Sequence, residues 1–288
     1  MSNRTKAILL VFICVILWAM IPVVAKLAQV NMDNHQFLFW SSLISFICLF
    51  STALIKKKIA IFKQYKLKDW LILIVLGLLG TYIYYLFLYL GYKEAKGLEV
   101  LVIQYTWPIS IVFLSLLVLN EKLTLQKVLS IIIGFIGVIF VLTKGDFSKV
   151  YLDNPYVIFL VFLGASSFAL FSILGKKVKY EPISAISIYF LSATVASFFS
   201  MNYFSSFLLP TTNELLPVVL NGVLINGFSY LFWINALRLT QASFLAPFIF
   251  LTPIISAVYL IMFFNEPLQT AYIVGLFCVV IAGLINSF

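Results

Sequence analysis

The sequence predicts an all-α membrane protein that crosses the bilayer ten times, as two five-helix repeats of inverted orientation with both termini in the cytoplasm. Three observations predict it: the composition, the number of apolar segments and an internal repeat. Hydrophobic residues make up 63% and charged residues 10% of the 288-residue chain, and the mean hydropathy is +1.11. A water-soluble domain of this size could not bury so much apolar surface, so the composition excludes one.

Ten segments are long and apolar enough to form spans, because a bilayer core of about 30 Å requires about 20 apolar residues per helix. They cover residues 7–27, 36–55, 70–91, 98–119, 128–143, 155–175, 183–204, 215–237, 243–264 and 270–287. The first segment follows Arg4 and Lys6 and so resembles a signal peptide, but its apolar run is too long and no cleavage motif ends it. We therefore expect it to be a span.

The basic residues predict the orientation. With the N-terminus inside, the loops on the other side hold Lys26, Lys93, Lys96, Lys144 and Lys149, and the remaining 14 of the 19 Lys and Arg residues are cytoplasmic. The net charge of +9 therefore reports orientation and contact with lipid headgroups, and we expect no nucleic-acid partner. The predicted location is the cell's inner (plasma) membrane. The oligomeric state stays open, and the sequence is compatible with a monomer.

The chain contains an internal repeat. When it is aligned with itself at an offset of 145 residues, Gly77 matches Gly222. The other matches are Tyr-Leu-Phe at 85–87 and 230–232, Pro108 with Pro253, and Asn120-Glu121 with Asn265-Glu266. Near the start of each half the offset is 150, as from Lys26 to Lys176. The predicted repeats are residues 1–145 and 150–288. Because each carries five spans, the second must be inverted, an arrangement typical of secondary transporters.

The stretch Gln104-Tyr105-Thr106-Trp107-Pro108 is the most polar and aromatic part of the fourth predicted span. Proline removes a backbone donor and kinks the helix, so neighbours or cavity water must satisfy the freed carbonyl. We therefore expect this stretch to line a solute pathway. Pro253 is the repeat partner of Pro108, and Pro22 interrupts the first span. These three prolines are predicted to set the geometry of gating.

Polar and aromatic side chains recur on single helix faces. Tyr82, Tyr85 and Tyr89 lie three and four residues apart in the third span, and Asn226, Tyr230 and Trp233 do so in the eighth. The tyrosines could be ordinary packing, and Asn226 could bond a neighbouring helix, since an unsatisfied amide in hydrocarbon is costly. The Gln104 amide could likewise bond the carbonyl freed by Pro108. The alternative for each is contact with solute.

Trp18 precedes Pro22 in the first span, and Thr252 is the repeat partner of Trp107. The candidate substrate-binding residues are Trp18, Tyr82, Tyr85, Gln104, Trp107, Asn226, Tyr230, Trp233 and Thr252. Glu121 and Glu266 are predicted to fix turns by accepting hydrogen bonds from the starts of the helices that follow them.

The sequence has few residues that could act in catalysis or in ion coupling. The single histidine, His35, is in a loop, no span carries an aspartate, and the three cysteines lack metal-ligand spacing, so we expect no enzyme activity, metal or cofactor. An intramembrane enzyme is the remote alternative. Every acidic residue lies in a loop or near a helix end, which favours a uniporter or facilitated exporter over a proton-coupled pump.

The Leu-Asn-Glu-Lys-Leu-Thr turn at 119–124 and the Phe-Asn-Glu-Pro-Leu turn at 264–268 follow the fourth and ninth of ten predicted spans. With this five-plus-five pattern, essentially the whole chain resembles the EamA-type transporters of the drug/metabolite transporter superfamily. The element at Gln104 to Pro108 is similar to the Tyr-x-Trp-Pro element of aromatic amino-acid exporters. The chain departs from the common pattern at Trp40, near the place where an arginine is frequent.

This resemblance implies a central cavity surrounded by the first, third, fourth, sixth, eighth and ninth spans, and export of small metabolites by alternating access. A phosphate-bearing substrate would need a basic side chain in the cavity, and Lys26 and Lys176 are at helix ends. We therefore expect a neutral or zwitterionic substrate, most simply an amino acid, aromatic ones included. A metabolite importer or exchanger and a drug efflux carrier are the alternatives.

Overall fold

The computed structural model describes residues 2–95, 97–149, 154–264 and 270–287, and within them it contains helices and no strand. The long helices are α1 (Asn3–Ala28), α2 (Asn34–Ile55), α3 (Leu67–Gly91), α4 (Val102–Leu119), α5 (Leu125–Thr143), α6 (Pro155–Lys177), α7 (Pro182–Phe204), α8 (Thr212–Leu239), α9 (Ala242–Phe264) and α10 (Thr270–Ser287). Lys96 and the predicted turn that contains Glu266 lie outside the described residues.

Nine of the described helices, α1 to α9, are long and apolar enough to cross a membrane, and α10 follows them as a shorter apolar helix. Large apolar side chains remain exposed on the outside of the bundle, as at Ile47, Phe199 and Phe277, where a bilayer would cover them. The chain is therefore a multi-pass membrane protein, and its tenth span and the orientation of its termini stay predictions.

The helix is interrupted just before each of the three prolines of interest. In α1 it breaks after Trp18 and resumes at Ile21, with Pro22 in the new first turn. At the start of α4, the helix Gly97–Gln104 ends before the helix Trp107–Leu119 begins, and Pro108 lies in the first turn of the second helix. In α9 a 3-10 stretch precedes Pro253. Proline is tolerated in a first turn because the backbone donor that it lacks has no partner there.

The two repeat-related helices α3 and α8 each contain a π-helical stretch, at Leu78–Ile83 and Asn221–Phe228. Gly77 and Gly222 are repeat partners; the first stretch starts one residue after Gly77, and the second starts one residue before Gly222. Such i to i+5 turns are rare and are frequently found at functional sites. The structure thus repeats an unusual backbone feature in both halves of the chain.

Both glycines allow close helix crossings. A Cβ added at Gly77 would lie 2.6 Å from the Cα of Tyr189 on α7, and one at Gly222 would lie 2.6 Å from the side chain of Ile44 on α2. The hydroxyl of Ser45 on α2 donates to the carbonyl of Gly222 at 2.8 Å. The third span of each half therefore packs against the second span of the other half.

An acidic residue near the start of α3 and of α8 ties that helix to a loop of the other half. Asp69 accepts a hydrogen bond from the hydroxyl of Tyr180, which lies between α6 and α7, at 2.8 Å. Glu214 accepts one from the backbone N–H of Asn31, between α1 and α2, at 2.9 Å. Each carboxylate also caps the turn in which it lies, since it accepts a backbone N–H three residues earlier.

Candidate functional site

A small cavity lies at the centre of the bundle, between α1, α3, α4, α6 and α9. It measures about 40 Å³ and is lined by Trp18, Ile21, Pro22, Tyr84, Tyr85, Gln104, Tyr105, Trp107, Phe168, Ile249 and Thr252. A water molecule occupies about 30 Å³ in the liquid and small-molecule pockets measure about 300–1,000 Å³, so the cavity has room for little more than water.

Several predicted site residues meet at this cavity. Trp18, Tyr85, Gln104, Trp107 and Thr252 come from four different helices and all line it. The kink residue Pro22 lines it as well, whereas Pro108 and Pro253 are not among its lining residues. The helix breaks therefore bring the indoles and the amide to one place.

The aromatic cluster that forms one wall consists of Trp18, Trp107, Phe168 and Trp233. The ring centroid of Trp18 lies 6.1 Å from that of Trp107 and 5.6 Å from that of Trp233, and both contacts are edge-to-face. Phe168 on α6 packs edge-on against Trp107 at 5.0 Å and against Trp18 at 6.0 Å. Sequence reasoning missed Phe168. The offset of 150 residues that pairs Lys26 with Lys176 also pairs Trp18 with Phe168, and this was the available signal.

Two indole groups are held by serine hydroxyls on neighbouring helices. Trp18 donates from Nε1 to Oγ of Ser229 at 2.8 Å, and Trp233 donates from Nε1 to Oγ of Ser172 at 2.9 Å. Trp233 does not line the described cavity but supports its wall from behind. These bonds fix the ring orientations, because a buried indole N–H requires an acceptor.

The amide of Gln104 bonds a tyrosine that sequence reasoning did not select. Gln104 donates from Nε2 to the hydroxyl of Tyr84 at 2.8 Å. Tyr84 and Tyr85 line the cavity, whereas Tyr82 is not among the lining residues. Tyr85 and Tyr89 share a face, since their rings stack at 5.7 Å, whereas Tyr82 lies within the π-helical stretch Leu78–Ile83, where the assumed α-helical spacing does not apply.

Asn226 and Tyr230 are buried next to the cavity and join helices. The hydroxyl of Tyr85 on α3 donates to Oδ1 of Asn226 on α8 at 3.0 Å. In return the hydroxyl of Tyr230 on α8 donates to the carbonyl of Gly80 on α3 at 2.9 Å. Each of these repeat-related tyrosines follows the π-helical stretch of its own helix and bonds the π-helical stretch of the other. Asn226 thus forms the interhelical bond that was the alternative to solute contact.

Thr252 is a wall residue whose polar atom is unsatisfied. Its side chain is 4% exposed, and Oγ1 is buried without a hydrogen-bond partner among the described residues. A buried hydroxyl without a partner costs roughly 1–3 kcal/mol. Thr252 lines the cavity, so a molecule bound there would lie next to this side chain.

Two larger cavities lie at opposite ends of the bundle. One, of about 290 Å³, is mostly apolar and is formed near the ends of α1, α3, α5 and α9; Ile21, Pro22 and Tyr105 line both it and the central cavity. The other, of about 610 Å³, is basic and is formed at the starts of α1, α5 and α9 and the ends of α6 and α8. It shares no lining residue with the central cavity.

Glu121, just beyond the end of α4, joins the end of α6 to the start of α9 beside the basic cavity. Its carboxylate accepts hydrogen bonds from Nζ of Lys176 at 2.7 Å, from the backbone N–H of Ala242 at 2.9 Å and from the N–H and hydroxyl of Ser243. Burial raises the pKa of Glu121, but the bonds from Lys176, Ser243 and Ala242 outweigh it and hold the pKa below its usual value. The predicted bond to the helix that follows is replaced by bonds to the start of α9, which a helix N-terminus favours for a carboxylate. Glu266 lies outside the described residues.

This bundle of apolar helices surrounds a small central cavity and has larger cavities towards its two ends, as a membrane transporter would. The model of the EamA-like transporter family matches residues 5–143 and again residues 155–288. The chain therefore belongs to the EamA-like transporter family, within the drug/metabolite transporter superfamily.

Known relatives support this assignment. A transporter of Archaeoglobus fulgidus is 29% identical over 216 residues, which are 74% of this chain and 76% of the relative. An S-adenosylmethionine uptake transporter of Rickettsia prowazekii is 30% identical over 169 residues, which are 57% of this chain and 54% of the relative. A solved crystal structure superposes with a TM-score of 0.86 at 17% identity, covering 98% of this chain and 97% of that one, which shows the shared fold.

Proposed function

We propose that this protein exports a small zwitterionic metabolite, most simply an amino acid, aromatic ones included, by alternating access through the central cavity. The observation that carries the proposal is the unsatisfied hydroxyl of Thr252 in a small central cavity walled by aromatic rings. A transported solute supplies the missing hydrogen bond while it occupies the cavity.

The cavity's chemistry suits a zwitterion. The faces of Trp18, Trp107 and Phe168 attract an ammonium group by cation–π interaction and pack against an apolar side chain. The hydroxyl of Thr252 can donate to a carboxylate, and the Gln104 amide, which is bonded to Tyr84, lies in the same wall. No charged residue is among the described lining residues, so an anion without its own positive group would be buried uncompensated.

The central cavity shares lining residues with the 290 Å³ cavity but none with the basic cavity, and this difference supports alternating access. The central cavity adjoins the 290 Å³ cavity at the predicted outer end and is separated from the predicted cytoplasm by the indoles and by the Glu121 contacts. We therefore assign the structure to an outward-facing, closed-inside state. Opening to the cytoplasm requires α9 to leave Glu121.

The predicted inverted repeats explain how two such states arise from one chain. The double match of the family model, the paired π-helical stretches and the paired carboxylates Asp69 and Glu214 support residues 1–145 and 150–288 as the repeats. Repeats threaded in opposite directions can exchange conformations, and this exchange opens each side in turn.

Uptake or exchange of a sulfonium compound is the second candidate function. The Rickettsia relatives are S-adenosylmethionine uptake transporters, and the aromatic walls attract a sulfonium as well as an ammonium. This candidate shares the binding site with the first. It differs in substrate size and in the direction of net transport.

Counterflow in proteoliposomes tests both candidates. Vesicles preloaded with Phe, Trp, Met, Leu, Thr or S-adenosylmethionine take up the labelled form of the same compound only if the protein carries it. Flux no faster than in protein-free vesicles for all six would exclude both functions. Stimulation by S-adenosylmethionine alone would replace amino-acid transport with the second candidate.

Thr252→Val tests the site itself. The change keeps the shape and removes the unsatisfied hydroxyl, so we expect the KM for the transported solute to rise about fivefold to tenfold without loss of stability. Ser42→Ala is the matched control, because Oγ of Ser42 is also buried without a described partner but does not line the cavity. Equal changes in KM for Thr252→Val and Ser42→Ala would show that Thr252 does not contact the solute.

A further inference from the structure

The 610 Å³ cavity at the predicted cytoplasmic face is strongly basic. The cations that line it are Arg4, Lys122, Lys127, Lys176 and Arg238, and the rest of its lining is mainly Thr and Gln side chains. Of the described residues, none that lines it is acidic. The adjoining acid, Glu121, is already engaged by Lys176 and by the start of α9. The cavity is therefore a concave surface with a large excess of positive charge.

Lys127 is the cation that is most costly to place there. Its side chain is 8% exposed, and Nζ donates to the backbone carbonyl of Lys122 at 2.8 Å and to Oε1 of Gln241 at 2.7 Å. Both of these partners are neutral. Taking an ammonium out of water without a paired anion is unfavourable, and an anion in the cavity would offset this cost.

Arg238 adds an unsatisfied donor. It donates from one terminal nitrogen to the carbonyls of Val178 and Tyr180 at 3.1 and 2.9 Å, whereas its Nε is buried without a hydrogen-bond partner in the part of the chain that is described. Guanidinium and ammonium groups that converge on one concavity are the usual recognition elements for phosphate.

We propose that this basic cavity binds a phosphate-type anion, the chemistry shared by the headgroup of an anionic phospholipid and a small phosphorylated metabolite. The cavity lies where spans begin and end, with Arg4 in the first turn of α1 and Lys122 just beyond α4, and so at headgroup depth. Lys56 and Lys57 are simply exposed in their loop and fit an orientation signal alone. The anion site is separate from the transport cavity and does not depend on the transported solute.

Binding to the purified full-length protein in a neutral detergent tests the proposal. Retention in native mass spectrometry and the shift in melting temperature are measured with phosphatidylglycerol, phosphatidylcholine and inorganic pyrophosphate. We expect phosphatidylglycerol or pyrophosphate to bind and phosphatidylcholine not to. Response to phosphatidylglycerol alone identifies a lipid site, and response to pyrophosphate identifies a site for soluble phosphates.

Charge-removing variants locate the site. Lys122→Gln and Lys127→Gln should each weaken binding about fivefold, since a cation near an anionic surface contributes about 1 kcal/mol. Lys56→Gln, which removes an exposed lysine outside the cavity, should leave binding unchanged. Because Lys122 is exposed, its variant stays informative if Lys127→Gln fails to fold. Binding of neither probe, or equal losses in Lys122→Gln and Lys56→Gln, overturns the proposal.

Discussion

Nζ of Lys176 lies 2.7 Å from Oε1 of Glu121, and the same carboxylate caps the start of α9. One side chain from the end of α4 thus holds together the end of α6 and the beginning of α9. The Glu121 side chain is only 6% exposed, so its bonds are shielded from water. In the proposed alternating-access mechanism, this ion pair and the cap on α9 have to break when this end of the bundle opens.

Glu121→Gln should favour the state that is open to the cytoplasm, because glutamine retains an acceptor but loses the charge that pairs with Lys176. We expect faster labelling of Ile249→Cys, in the wall of the central cavity, by an impermeant maleimide applied from the cytoplasmic side. The background replaces the three native cysteines with alanine. Lys177→Gln, an exposed neighbour, is the control. Unchanged labelling in Glu121→Gln would show that the pair does not close this end.

The lowered pKa of Glu121 predicts a specific pH dependence of stability. A carboxyl whose folded-state pKa lies below its unfolded value stabilises the fold above the unfolded pKa, near 4.5, and loses that contribution as the pH falls through the folded pKa. The melting temperature of the wild type should therefore exceed that of Glu121→Gln by a constant margin above pH 6. The margin should narrow below pH 4.5, and a margin independent of pH down to 3 would contradict the assignment.

Trp107→Ala should abolish transport and also cost about 3–5 kcal/mol in the free energy of unfolding, because it removes the indole that packs against Trp18, Phe168 and Trp233. Trp107→Phe should retain much of the stability and change substrate preference. Transport rates and denaturant titration of both variants check this. Wild-type transport by Trp107→Ala would assign the ring to packing alone.

Gly77→Ala and Gly222→Ala should each destabilise the protein by about 1–3 kcal/mol, because the new Cβ would meet backbone atoms of Tyr189 in one case and the carbonyl of Ser41 in the other. Gly283→Ala is the matched control, since its Cβ would lie 3.6 Å from the ring of Phe248, an ordinary contact. Melting temperatures of the three variants measure the difference. Equal melting temperatures would mean that the two crossings relax without cost.

The sequence by itself determined the class of the protein and most of the helix positions. Apolar composition and segment length are properties of the chain alone, and the predicted span 36–55 lies within the observed helix Asn34–Ile55. Five of the predicted binding residues line the central cavity, because proline breaks and clustered indoles are local signals that mark an unusual place in a span.

Only the tertiary structure decided the finer arrangement. The π-helical stretch in α3 ends the regular spacing on which the Tyr82 prediction rested, and Tyr84 occupies the cavity wall with Tyr85 instead. Glu121 bonds α9, more than 100 residues along the chain, and not the helix beside it. Helical periodicity describes neighbours three and four residues apart. Which distant helix end reaches a carboxylate depends on how the whole bundle packs.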